Sequence, residues 1–157
     1  MDKVCCFAGS TELPPVGGSA FLALRENLKN AVLDALNTGH TSFLTSGAQG
    51  FDLLAAELIL LLKRDYPALQ LSVYIPHPKQ DAPYSETDKQ RYRNLLALAD
   101  KPYLLAERKL PGCLRERNRR MADKSDLCIA YLPHNSKGDA AQLVRMAEDK
   151  GIPVVKL

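Results

Sequence analysis

The sequence contains no tryptophan, and its aromatic share is only 6%, so the interleaving of aromatic and basic residues that stacks single-stranded bases is missing. Its four cysteines (Cys5, Cys6, Cys113 and Cys128) and three histidines show no metal-ligand spacing. Cys5 and Cys6 are neighbours in a strand-like run, where adjacent side chains point to opposite faces; this excludes a CxxC zinc knuckle and a mutual disulfide. The cysteines read as reduced, buried thiols of a cytosolic protein. A GKS/T phosphate loop and a Ser-His-Asp order are absent as well. The most apolar segment, residues 53–62, contains Glu57 and reaches only about half of the roughly 20 residues a bilayer requires. Met1-Asp2-Lys3 leads directly into a strand, so no signal peptide is expected. The net charge of +3 permits attraction to phosphate-bearing ligands but lacks the basic excess of a duplex-DNA binder.

What is present is an ordinary globular composition, 46% hydrophobic and 25% charged over 157 residues. That suffices for one domain, 1–157, with a real core. Short apolar runs at 4–8, 42–45, 70–75, 102–106, 127–132 and 152–155 alternate with helical patterns at 19–38, 50–64, 86–99, 114–123 and 139–150. Ser19 is the expected N-cap of the first helix. The segment 79–85 is polar and aperiodic and reads as a loop. Alternation of this kind, with right-handed crossovers, predicts an α/β fold: a single Rossmann-like doubly wound domain with a mostly parallel sheet of about six strands, order 3-2-1-4-5-6. Pro153 marks the last strand as an edge.

Open parallel sheets bind ligands beyond the carboxyl ends of their strands, where the strand order reverses. The residues that follow each strand are therefore the candidates. They are Gly9, Ser10 and Thr11; Ser46, Gly47, Gln49 and Gly50; His77; Glu107, Arg108 and Lys109; and His134, Asn135, Ser136 and Gly138. The stretch from Phe43 to Glu57 has the outline of a phosphate cradle, a buried strand with a glycine turn and a helix start, where bare backbone and free N–H groups meet an anion. A purely structural turn has the same outline. Asp52 sits in the first turn of that helix, suited either to the helix dipole or to a ribose hydroxyl. Asp52 and Glu57 are the carboxylates available if the chain is catalytic. His77, set between two prolines, and His40, at the opposite end of the sheet, read as structural. In the run 115–120, Arg115 and Arg119 share one helix face and Arg117 and Arg120 another, so the four cannot converge on one ligand.

Taken in order, CCFAGS near the start, LTSGAQGFDLLAAE, RERNRRMADKSDLCIAYL and KGIPVV at the end resemble the YpsA-like branch of the SLOG superfamily. That superfamily also contains the DNA processing protein A Rossmann domain and the LOG-type nucleotide hydrolases. The resemblance implies a nucleotide or nucleotide-derivative pocket formed by the loops after strands one, two and five. It places Gly9 and Ser10 in the first motif, where the family has Gly-His-Arg. Gly47, Gly50, Asp52 and Glu57 fall in the second, and Arg117, Asn118, Met121, Ser125 and Asp126 in the third. LOG-type hydrolases cleave N-glycosidic bonds with a glutamate from PGGxGTxxE; the comparable stretch here begins at Gly138 and carries Gln142 at the glutamate position, with Asn118 at the place of a lysine. An amide is neither a base nor a charge for an oxocarbenium-like centre. The expectation is therefore a cytosolic binder or sensor of a nucleotide-like small molecule. Its ligand contacts would be Gly9, Ser10, Thr11, Ser46, Gly47, Gln49, Gly50, Asp52, Arg117, Asn118 and Gly138. No metal, cofactor or membrane partner is expected. A nucleotide N-glycosidase and a single-stranded DNA binder are the alternatives, and a homo-oligomer stays open.

Overall fold

Val4 to Ala8 is apolar on both sides of its pleat, and it becomes the central strand β1 (Lys3–Gly9). A computed structural model describes residues 2–133 and 137–157; His134, Asn135 and Ser136, three of the expected rim residues, lie outside the described residues. The chain continues through α1 (Ser19–Asn37), β2 (His40–Thr45), α2 (Phe51–Leu62), β3 (Gln70–Ile75), α3 (Glu86–Leu98) and β4 (Lys101–Leu104). It then forms α4 (Cys113–Lys124), β5 (Leu127–Tyr131), α5 (Asp139–Asp149) and β6 (Val154–Lys156). Cys5 and Phe7 of β1 face the layer that contains α1, α2 and α3, while Cys6 and Ala8 face α4 and α5. Burial on both faces explains why the strands read as continuous apolar runs rather than alternating ones. All four cysteines are buried free thiols.

The six strands pair in parallel in the order β4-β3-β2-β1-β5-β6. The doubly wound class is as expected, with one correction to the order 3-2-1-4-5-6: the fourth strand lies outside β3, and β5 takes the place beside β1. Asp100 supplies the physical reason. Its N–H donates to Leu71 O at 2.9 Å, its Oδ2 accepts from Leu71 N at 2.8 Å, and its Oδ1 pairs with Lys63. The chain leaving α3 is thereby fastened to the start of β3 before β4 begins. Pro102, which has no N–H to give a ladder, suits an edge strand. At the other edge, Pro153 lies just before β6, and its carbonyl accepts from Cys128 N at 2.9 Å.

Two smaller differences concern helix ends. Gly18, not Ser19, is the N-cap of α1, and no side chain caps it. Ser85 caps α3 by accepting from Asp88 N at 3.2 Å. His40 is buried where β2 begins, with Nδ1 3.1 Å from both Ala35 O and Thr38 Oγ1, at the end of the sheet opposite the glycine turns.

Candidate functional site

β1 runs out at Gly9, and the next residues are fastened on both sides. Ser10 N donates to Tyr131 O at 2.9 Å and Phe51 N donates to Ser10 O at 3.0 Å, so the loop joins β5 to the start of α2. This contact leaves no room for side chains. A Cβ on Gly50, which has φ +82°, would stand 2.4 Å from Thr11 O, and one on Gly9 would stand 2.2 Å from the Phe51 ring.

The turn after β2 is held just as closely. Thr45 Oγ1 donates to Asp52 O at 3.0 Å and accepts from Gly47 N at 3.2 Å. Gln80 Nε2 donates to Ser46 O at 3.0 Å, Tyr84 Oη donates to Gly47 O at 3.2 Å, and Gln49 Nε2 donates to Asp88 Oδ2 at 2.9 Å. A Cβ on Gly47 would meet the Tyr92 ring at 2.8 Å. Gly47, Gln49 and Gly50 are therefore spent on contacts within the protein and do not line the cleft.

The cleft itself, about 420 Å³, opens beyond the carboxyl ends of β1, β2 and β5. That is where the sheet order reverses, the position at which open α/β sheets receive ligands. Of the expected contacts, Gly9, Ser10, Thr11, Ser46, Asp52, Arg117, Asn118 and Gly138 line it. Glu57 does not. It lies on α2 against α3, with Arg91 Nη2 at 2.5 Å from its Oε1 and Arg91 Nε at 3.1 Å from its Oε2.

Two charged side chains dominate the floor. Arg117, 3% exposed, reaches in from α4; Nη1 is 3.4 Å from Gln80 Oε1, Nη2 is 3.2 Å from Asn118 Oδ1, and its carboxylate partner, Asp139 Oδ2, is 3.8 Å away. Its Nε has no hydrogen-bond partner among the described residues. Asp52, 6% exposed, accepts the Ser46 hydroxyl on Oδ2, while Oδ1 has no partner in hydrogen-bond geometry among the described residues. Burial raises its carboxyl to about 6, against a smaller downward pull from Ser46, Arg117 and the Gly9 amide; Asp139 adds to the rise.

The roof is the junction of α4 and α5. Asn118 Nδ2 donates to Asp139 O at 2.9 Å and to Gln142 Oε1 at 3.1 Å. Gln142 is thus a structural partner of Asn118. Gly138 (φ +96°) precedes α5, whose first turn lacks a side-chain cap among the described residues. Arg119 and Arg120 point away from the cleft and pair with Glu116.

Sequence reasoning missed Gln80, Tyr84 and Tyr92, which hold the floor from a segment read as a plain loop and from α3. Nothing local marks them, because each acts on a turn more than 30 residues earlier in the chain. Glu12 and Lys137 on the cleft wall were missed as well. Among the described residues, no group of His, Cys, Asp or Glu is placed to hold a metal.

Asp52 gives the fold a pH dependence. An unfolded aspartate titrates near 3.8 and this one near 6, so between those values the folded chain binds a proton that the unfolded chain releases. The stability associated with neutral Asp52 is fully present below pH 4 and lost as the pH rises through 6. An Asp52→Asn variant is expected to exceed the wild type by up to about 3 kcal/mol at pH 8 and by little at pH 4, less what Arg117 loses in attraction. Urea denaturation at both pH values checks this. An equal difference at the two would mean that Asp52 is not buried in its ionised form.

Residues 19–152 match the YpsA family model, described as the YspA SLOG family. Over 131 residues the chain is 30% identical to a UPF0398 protein of Bacillus thuringiensis (strain Al Hakam), covering 82% of this chain and 69% of that protein. It is 29% identical over 133 residues to UPF0398 protein YpsA of Bacillus subtilis (strain 168), covering 83% and 74%. Among solved structures it is similar to DNA processing protein A from Helicobacter pylori, studied for its single-stranded DNA binding mode. The TM-score is 0.65 at 16% identity, over 98% of this chain and 64% of that one. DNA processing protein A from Streptococcus pneumoniae gives 0.65 at 17% identity, over 99% and 50%. The chain spans 64% and 50% of the length of those two structures, and at such identities the likeness shows a shared fold alone.

Proposed function

The chain belongs to the YspA SLOG family, and from that membership and the charge pattern of the cleft we propose that it binds a nucleotide or nucleotide-derived molecule, as a sensor or regulatory module of the cytosol. The single observation that carries the reading is Arg117. A guanidinium this deeply buried, with Nε unpartnered among the described residues and its carboxylate 3.8 Å away, has lost hydration that its neighbours only partly replace. An anionic group in the cleft restores charge-assisted hydrogen bonds to it. The start of α5, residues 138–140, lines the same space and adds backbone N–H groups and the positive end of a helix dipole.

On this reading the anion sits on the α4 and α5 side, with Ser10 and Thr11 across from it, rather than on the glycine turn. Ala8, Leu132 and Leu143 offer apolar surface to an uncharged part such as a base. The four free, buried thiols suit a reducing compartment. Binding without turnover is favoured because Gln142 and Asn118 satisfy each other, and Glu57 is paired with Arg91 away from the cleft.

The test is thermal unfolding of the whole chain with AMP, ADP, cyclic AMP, NAD, inorganic phosphate and a single-stranded oligonucleotide, with free base assayed in the same samples. The expected result is a shift of several degrees with at least one nucleotide and no base released. Release of base assigns an N-glycosidase instead. A shift with the oligonucleotide alone, weakened steeply by salt, assigns single-stranded DNA binding. No shift with any of them overturns the proposal.

A further inference from the structure

Asp52 and Arg117 carry opposite charges, line one cleft and are each more than nine-tenths buried, yet no ion pair within 4.0 Å joins them among the described residues. Each is held by its own neighbours, Asp52 by Ser46 and Arg117 by Gln80 and Asn118. Arg117's recorded carboxylate partner is Asp139, from the other side. The cleft lining therefore carries three carboxylates, Glu12, Asp52 and Asp139, against two cations, Arg117 and Lys137, and is net negative among the described residues while Asp52 is ionised. That is an unfavourable setting for the anion whose binding is proposed above.

Asp52 contains the remedy. Its Oδ2 accepts the Ser46 hydroxyl, so a proton on the carboxyl goes to Oδ1, the oxygen without a partner in hydrogen-bond geometry among the described residues. Resting on the reading that the cleft binds a nucleotide anion, we infer that binding is coupled to proton uptake: the ligand enters as Asp52 Oδ1 takes one proton from solvent, and Asp52 sets the pH range over which the cleft is competent. The groups facing Asp52 are consistent with its being the site of uptake. From β1 comes the Gly9 amide, from the turn Ser46, from α4 Arg117 and from α5 Asp139. Tyr84, from the segment between β3 and α3, stays a phenol, because burial pushes its ionisation far up. Behind Asp52 lies the thiol pair of Cys6 and Cys128 on neighbouring strands. The Asp52 carboxyl, raised to about 6 by burial, titrates within the range in which the chain is handled.

Coupling follows from reciprocity. An anion beside Asp52 raises its proton affinity, so a proton on Asp52 raises the affinity for the anion by the same factor. Calorimetric titration of the intact chain tests this with NAD and cyclic AMP, whose phosphates keep a fixed charge across the range, and with AMP. Affinity is expected to fall roughly tenfold between pH 5.5 and pH 8. At pH 7 the binding enthalpy is expected to differ between phosphate and Tris buffers, whose ionisation heats differ, by an amount equal to a fraction of a proton taken up. In Asp52→Asn both effects should vanish and the affinity at pH 8 should rise. The buffer comparison needs no variant, so it stands even if Asp52→Asn folds poorly. A nucleotide that binds with equal affinity at both pH values and equal enthalpy in both buffers overturns the coupling while leaving the binding function intact. Absence of binding by every nucleotide overturns both.

Discussion

Arg117→Met is expected to leave the unliganded chain as stable as the wild type or more so, while abolishing the thermal response to nucleotides. Replacing a buried, poorly paired ion by an apolar side chain of similar volume is typically neutral or stabilising by about 1–4 kcal/mol. The gain here falls at the low end, because Asp52 loses the cation that holds its carboxyl down and Asn118 loses a donor. The ligand loses charge-assisted hydrogen bonds of roughly 1.5–3 kcal/mol each, so affinity should drop between about tenfold and a hundredfold or more. Chemical denaturation and calorimetry of the same preparation separate the two effects. A variant that unfolds several kcal/mol more easily would make Arg117 a structural ion, and the principal support for a ligand would be gone.

The second large effect lies in the fold. Gly50→Ala is expected to cost roughly 3–5 kcal/mol, the sum of an unfavourable left-handed backbone and a methyl group forced onto carbonyl oxygens. Those oxygens belong to Thr11 and Ser10, at 2.4 and 2.6 Å from the added Cβ, and neither can swing aside as a long side chain would. Ser10 O is occupied by Phe51 N and Ser10 N by Tyr131 O. A fall in melting temperature of roughly 10 °C follows for a chain of this length. Gly138→Ala makes the control, since its φ is also positive but nothing among the described residues lies within 4 Å of the added atom. Equal losses in the two variants would show that the backbone conformation alone is responsible and that the contact with Ser10 and Thr11 contributes nothing.

These two positions show what the sequence made legible. Strand and helix alternation were readable because each strand is a short apolar run buried on both faces, and Pro153 marked one edge correctly. The position of β4 was not readable, because it depends on Asp100 reaching back to Leu71 and Lys63, a contact that no local pattern encodes. The same limit applied at the site. Gly47 and Gly50 were recognised as special, but a glycine that admits a ligand and a glycine that admits another loop look identical in a sequence. Only the contacts with Tyr92 and Thr11 separate the two. Arg117 was picked from a run of four arginines by the family resemblance, since helix geometry only divides the run into two faces, and its depth depended on contacts such as that with Gln80, 37 residues away.

The cleft also lies along the seam where the chain closes on itself late. β1 finds β2 and β3 nearby in sequence, but its other neighbour, β5, arrives more than 100 residues later, fastened by Val4 N to Asp126 Oδ2 and by Ser10 N to Tyr131 O. Pairings that span so much chain form slowly, after the entropy of a long loop has been lost. The half that brings Arg117, Asn118 and Gly138 is therefore expected to be added last, to a scaffold that already holds Gly9, Ser46 and Asp52. A molecule seated between them touches both halves at once. A ligand of the kind proposed would act as a rivet across the final joint of the fold, and is expected to lower how often β5 and α5 come away from the rest.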